Sequence, residues 1–196
     1  MDLLLAERWF VGDARYWRAY NESDLERYDE AWVDIEAAAK LQINAEVPKL
    51  AGLVAYRREQ LDVARAKFEE SRTRNAGDCE TGFLLGIVLA EQRNWPRTAD
   101  VLLETAPCLQ RAERGLLDEM AAIRASTDPP TRQALKIARR ELFLAKTRRM
   151  TATSWFDIAV AYYNLSRKTE ARQFAEKVVE DEQFGERARE LLTRLK

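Results

Sequence analysis

Residues 48–71, PKLAGLVAYRREQLDVARAKFEES, place a glycine in the middle of an apolar helical run. Gly52 costs a helix about 1 kcal/mol relative to alanine, so packing must offset its presence. Three positions of this stretch have counterparts of similar size further along the chain. An interval of 34 residues separates three matched pairs: Gly52 and Gly86, Ala64 and Thr98, Phe68 and Leu102.

A fixed interval of this length indicates a repeated helix–turn–helix unit. In each unit the glycine precedes a small residue by 12 positions, and a bulky residue follows four positions later. A side chain at the point where two helices cross would hold their axes apart, so a small residue there allows close approach. We therefore expect Gly52 and Gly86 to face a partner helix and not water.

The arrangement resembles the tetratricopeptide repeat (TPR), whose pattern combines Leu-Gly and an aromatic on one helix with Ala, Phe and Ala on the next. A second copy has Leu85, Gly86, Leu89, Thr98 and Leu102 at the matching positions. A third copy, SWFDIAVAYYNLSRKTEARQFAEKVV at residues 154–179, matches at Trp155, Ile158, Ala159, Tyr162, Ala171, Ala175 and Val178. Two positions depart from the pattern, Pro48 and Ala55.

The resemblance implies an all-α superhelix, a TPR-like solenoid of about five helix–turn–helix pairs with a C-terminal capping helix. We predict helices near 2–20, 23–42, 46–58, 60–74, 78–92, 95–106, 109–125, 129–148, 152–165, 168–181 and 184–196. They form a single domain, residues 1–196. Its parts are an N-terminal pair (1–44), repeats at 45–78, 79–108 and 151–183, a longer degenerate pair (109–150) and the capping helix (184–196).

The composition argues against an enzyme. The chain has 196 residues, no histidine, two cysteines without metal-site spacing and none of the common nucleotide-binding or nucleophile motifs. We expect no cofactor and no metal. The formal net charge is −1, so nucleic acid is not an expected partner.

No apolar run is long enough to cross a membrane, and the first residues lack the pattern of a signal peptide. The expected compartment is the cytoplasm. The alternatives are the periplasm or a soluble part of a membrane-anchored protein.

In the resembled family, ligands contact the first helix of each pair, on positions that do not pack against the second helix. This register implies a partner-binding groove at Lys49, Leu53, Tyr56, Phe83, Ile87, Ala90, Phe156, Val160, Tyr163 and Asn164. Polar clamp residues that some members use for acidic peptide ends are replaced here by Leu53 and Phe156. The groove is expected to be apolar and aromatic, and to bind a peptide or amphipathic helix. The alternative is that the chain's own first helix fills it, with Trp9, Phe10, Tyr16, Trp17 and Tyr20.

Two charged blocks permit other partners. Residues 22–36 hold seven acidic side chains, and residues 131–150 are basic. The basic block forms a possible acidic-partner patch of Arg132, Lys136, Arg139, Arg140, Lys146, Arg148 and Arg149. The alternative function is that the basic helix 132–149 binds an acidic surface or a nucleic acid. The opposite charges could also orient copies of the chain head to tail in a homo-oligomer.

The sequence leaves the state of the cysteines open. Cys79 and Cys108 are equidistant from a turn near Asn94, so a disulfide is geometrically possible. A disulfide would indicate an oxidising compartment.

Overall fold

The structure, a computed structural model, describes residues 3–41 and 44–195. Within these ranges all the regular structure is helical. The nine helices are α1 (Leu3–Asp24), α2 (Tyr28–Ala39), α3 (Glu46–Arg57), α4 (Leu61–Arg74), α5 (Cys79–Glu91), α6 (Trp95–Ala125), α7 (Pro130–Asn164), α8 (Lys168–Glu176) and α9 (Gly185–Arg194). The chain divides into two compact units, Met1–Gln92 and Arg93–Lys196.

One turn conformation recurs four times and joins α1 to α2, α3 to α4, α5 to α6, and α7 to α8. Its central residue is left-handed at every occurrence: Glu26 (φ 61°), Glu59 (φ 59°), Arg93 (φ 56°) and Ser166 (φ 60°). The following residue, which precedes the next helix, has ψ between 64° and 71° each time. The four turns therefore share one local backbone conformation.

Hydrogen bonds close this turn in the same way in both units. Gln60 N donates to Ala55 O at 2.9 Å, and Glu59 N donates to Tyr56 O at 3.0 Å. The same two bonds recur at Arg167 and Ser166, with lengths of 2.9 and 3.0 Å. They satisfy carbonyls at the end of the first helix and fix the direction in which the second helix leaves.

The helix crossing at Gly52 is as the repeat predicts. Gly52 is buried, and a Cβ atom built there would lie 2.6 Å from ring atoms of Phe68, which is itself 1% exposed. Gly86 is buried as well, and Ala159 is fully buried. Small residues at these positions therefore face the interior.

The structure corrects the predicted helices in the second unit. The segments 95–106 and 109–125 are one helix, α6, and the segments 129–148 and 152–165 are one helix, α7. The predicted boundaries after 108 and 150 both fall inside these helices. The extra residues between Gly86 and Ala159 lengthen two helices instead of adding a pair, so the described residues form nine helices where the sequence predicted eleven.

Ion pairs between α6 and α7 explain why both helices continue past their predicted ends. Pro107 has no N–H to donate, yet it lies inside α6 with its side chain exposed. Beyond it, Arg148 bonds Glu113 at 2.7 Å and Arg140 bonds Glu119 at 2.6 Å. The segment 131–164 contains no glycine or proline that could end α7.

The last helix shields apolar surface, as the predicted capping helix should. Leu191 and Leu195 pack in a buried cluster with Ile158 of α7 and Ala171 of α8. Gly185 permits the close approach that begins α9, because a Cβ atom there would lie 2.5 Å from the Val179 carbonyl oxygen. The predicted helix 168–181 is shorter, Lys168–Glu176.

Neither cysteine carries a free thiol, since Cys79 and Cys108 are both disulfide-bonded. No helix among the described residues is both long enough and apolar enough to cross a bilayer.

Candidate functional site

The predicted groove residues are distributed over both units. Six lie in the first unit, on α3 and α5: Lys49, Leu53, Tyr56, Phe83, Ile87 and Ala90. Four lie in the second unit, on α7: Phe156, Val160, Tyr163 and Asn164.

In the first unit, Lys49 is engaged in an internal ion-pair network. Its Nζ lies 2.9 Å from Asp78 Oδ2 and 3.0 Å from Glu80 Oε2. Burial works to lower the pKa of Lys49, but hydrogen bonds to the two carboxylates outweigh it and raise the pKa overall. Asp78 also caps α5 by accepting from the Thr81 amide at 3.3 Å. Lys49 therefore connects α3 to the start of α5.

Tyr56 is likewise tied within its unit. Its hydroxyl donates to Glu91 Oε1 on α5. Burial and this hydrogen bond raise the pKa of Tyr56 to about 12. Phe83, Ile87 and Ala90 are half-buried. This part of the predicted groove thus supplies interhelix contacts.

Leu53 lines a separate cleft of about 250 Å³ in the same unit. The lining residues, from α1, the turn after it, α2 and α3, are Tyr20, Ser23, Asp24, Glu26, Tyr28, Leu50, Leu53 and Arg57. Ser23, Asp24 and Glu26 contribute one hydroxyl and two carboxylates, so the surface of this cleft is predominantly polar.

The four groove residues of the second unit converge on one cleft. This cleft, of about 280 Å³, is called the α7–α9 cleft here. It is lined by Phe156, Val160, Tyr163 and Asn164 of α7 and by Arg187, Glu190, Leu191 and Arg194 of α9. Both sets have helical spacing, so each helix contributes one stripe to the cleft.

Aromatic stacking and a cation–π contact hold Phe156, which lines the α7–α9 cleft. Phe156 is 4% exposed and stacks on Phe184, with ring centroids 5.0 Å apart. The Arg187 guanidinium lies 4.5 Å from the centroid of the Phe156 ring. A cation over an aromatic face is favourable, so Arg187 has a preferred position before any ligand binds.

The open side of the cleft has polar groups around an apolar floor. Tyr163 is 37% exposed, and Val160 is half-buried. Asn164 Nδ2 donates to the Val160 carbonyl at 2.8 Å, which holds the amide at the end of α7. Arg187, Glu190 and Arg194 are exposed on α9. These α9 residues were not predicted, because residues 184–196 were interpreted only as a capping helix. Their spacing of three and four along one polar face was the available signal.

The basic patch is largely neutralised by carboxylates within the second unit. Asp128 pairs with Arg132 at 3.8 Å and with Lys136. Arg140 and Arg148 pair with carboxylates of α6, as described above. Arg149 lines a cleft that also contains Asp181 and Glu182. Arg139 and Lys146, which belong to the same predicted set, are exposed on α7, as are Arg132, Lys136, Arg148 and Arg149.

The described aromatic side chains of the first helix differ in exposure. Phe10 is 72% exposed and Trp17 is 58% exposed. Tyr16 is half-buried and packs against the core of the first unit, and Tyr20 lines the first-unit cleft. The side chain of Trp9 lies outside the described residues. The described residues also contain no group of three or more potential metal ligands.

Comparison with known proteins shows which known fold the chain resembles. No protein-family model matches the sequence, and no curated protein matches it. Among solved structures, the chain is similar to YrrB, described as a TPR protein with an unusual peptide-binding site. The match has a TM-score of 0.62 at 16% identity, and it covers 91% of this chain and 74% of YrrB.

The chain therefore has a TPR-like helical-repeat fold, and the resemblance predicted from Gly52, Ala64 and Phe68 is confirmed at the level of the fold. At this identity the likeness concerns the architecture alone.

Proposed function

We propose that the protein is an interaction scaffold that binds a peptide segment of another protein in the α7–α9 cleft. One observation carries the proposal. Four residues chosen from the repeat register, Phe156, Val160, Tyr163 and Asn164, line a single cleft together with α9. The peptide-binding site described for YrrB, whose fold is similar, supports the same kind of activity.

The α7–α9 cleft, at about 280 Å³, has room for one or two anchoring side chains of a peptide. Its floor of Val160 and Leu191 would accept an apolar anchor.

The rim indicates the chemistry beside that anchor. Arg187 and Arg194 place two cations at the cleft, and Glu190 places one anion. Among the described residues, neither arginine forms an ion pair with a carboxylate. A ligand carboxylate next to the apolar anchor would gain two charge-assisted donors, so the expected ligand is an apolar residue flanked by Asp or Glu.

Selection from a random peptide library tests the proposal. Peptides enriched on the native protein are synthesised, and their affinities are measured by fluorescence polarisation. We expect Tyr163→Ala and Arg194→Ala each to weaken binding at least fivefold, because removing a central anchor commonly costs more than about 1 kcal/mol. Trp17→Ala, at an exposed aromatic residue of α1 outside the cleft, is the control and should change affinity less than twofold.

Two results would count against the proposal. Failure of any peptide to be enriched would remove peptide binding as the activity. Peptides that bind Tyr163→Ala and the native protein equally well would place the binding site elsewhere.

A further inference from the structure

The outer face of α2 carries an exposed acidic stripe with an apolar centre. Asp29, Val33 and Glu36 are spaced by four and three residues, so they lie along one side of the helix. The Asp29 side chain is 87% exposed and Val33 is 63% exposed. Arg58 and Trp32 hold Asp29 and Glu36 in place, at 3.0 Å in each case.

The outer face of α7 carries the reverse pattern. Arg139, Leu142 and Lys146 are spaced by three and four residues and lie along one side of the helix. Leu142 is 75% exposed, and Leu135, two turns before it, is 74% exposed. These are the most exposed aliphatic side chains among the described residues.

The two stripes match when the helices run antiparallel. Reading α2 forwards and α7 backwards, the intervals are four and then three in both helices. This register sets Asp29 against Lys146, Val33 against Leu142, and Glu36 against Arg139. We propose that the α2 stripe of one copy of the protein docks on the α7 stripe of a second copy.

A second copy fits these faces because each is complementary to the other in charge and in the position of its apolar residue. Like charges would oppose any pairing of two α2 stripes or of two α7 stripes. A parallel alignment would put intervals of four and three against three and four, which moves Val33 off Leu142. The charge pairs select the register, and the apolar centres supply the buried surface.

The contact joins different faces, so it is heterologous. Each added copy leaves one α2 stripe and one α7 stripe available at the ends of the assembly. Such contacts produce an extending series of oligomers or a closed ring instead of stopping at a symmetric dimer. Because the charges are exposed, association should weaken as salt screens them.

Sedimentation of the full chain with charge-reversal variants tests the proposal. Weight-average mass is measured from about 10 μM to about 1 mM, a range that reports weak dissociation constants. The native protein should gain mass with concentration, and less so in about 0.5 M salt than in about 0.05 M salt. The variants Arg139→Glu/Lys146→Glu and Asp29→Lys/Glu36→Lys should each remain monomeric throughout.

Mixing the two variants is the decisive arm. Both contacts become complementary again in an alternating assembly, so the mixture should regain the mass increase that each variant lacks. Arg111→Glu/Arg114→Glu, an equal charge change at exposed positions of α6, should behave as the native protein does. Circular dichroism should show unchanged helix content in every variant.

The proposal is overturned if the native protein stays monomeric over the range. It is also overturned if the reversed variants associate as the native protein does, or if their mixture does not. Binding of a monomeric native protein to vesicles containing phosphatidylserine would assign the α7 stripe to anionic lipid and would overturn it too. None of these outcomes depends on the α7–α9 cleft, so the proposed peptide binding is judged separately.

Discussion

A Cβ atom at Gly52 would lie 2.6 Å from the ring of Phe68, so α3 and α4 meet where only a hydrogen atom fits. Phe68 is 1% exposed, so its ring lies in the packed interior between the helices. This contact explains the 34-residue interval, because each repeat needs one small residue where its two helices cross.

Gly52→Ala should destabilise the protein. Overpacking a buried contact costs about 1–3 kcal/mol, and the gain in helix propensity returns about 1 kcal/mol. We expect a net loss of up to about 2 kcal/mol in the free energy of unfolding, measured by urea denaturation.

Gly115→Ala is the matched control for this substitution. Gly115 also lies inside a helix, α6, but no atom stands within 4 Å of a Cβ atom built there. It should stabilise the protein by up to about 1 kcal/mol. If both alanines stabilise, the close crossing at Phe68 is wrong.

Asp34→Asn should give a pH-dependent loss of stability. Asp34 is 1% exposed and binds Arg18 and Arg15, the latter at 2.6 Å. The hydrogen bond from Arg18 is the main cause that lowers the pKa of Asp34, against the opposing effect of burial. A lowered pKa in the folded state stabilises the protein above the ordinary carboxyl pKa, and this contribution is lost as pH falls through the folded value.

The variant should therefore lose about 1–2 kcal/mol at pH 7, and the difference from the native protein should shrink below about pH 4. Thermal or urea unfolding across pH measures this difference. Asp29→Asn on the same helix, at an exposed position, should cost less than about 1 kcal/mol at any pH. A difference for Asp34→Asn that is constant with pH would contradict the charged interaction.

Glu59→Gly should stabilise the protein, because Glu59 has a left-handed φ of 59° that glycine adopts without steric cost. The expected gain is about 1 kcal/mol. Glu141→Gly, in the exposed interior of α7, should cost about 1 kcal/mol instead. Opposite signs for the two substitutions would confirm that the recurring turn is strained at this residue; equal signs would contradict it.

The helical repeat was predictable from the sequence, because the spacing of Gly52, Ala64 and Phe68 is typical of two helices that cross closely. The sequence did not predict the recurring turn, since Glu59, Arg93 and Ser166 carry no residue preference for a left-handed conformation. It also predicted two helices, 95–106 and 109–125, where α6 continues through Pro107 because packing against α7 outweighs one missing hydrogen bond.

The candidate site was predictable on one side. The repeat register locates Tyr163 and its neighbours on α7, because a helix position determines which face a side chain occupies. The α9 side depends on how the last helix docks on the preceding pair, which local periodicity does not specify. Lys49 was predicted as a ligand contact, and only its position against Asp78 and Glu80 reveals an internal role.

Amide chemical shifts of the protein with a selected peptide test the central claim most directly. Titration of the isotope-labelled native protein should perturb amides of residues 156–164 and 187–194 most strongly. The dissociation constant fitted to these shifts should equal the one measured by polarisation. The Tyr163→Ala variant should show weaker shifts at the same positions. Strong perturbations confined to other helices, with residues 156–164 and 187–194 unchanged, would contradict binding in the α7–α9 cleft.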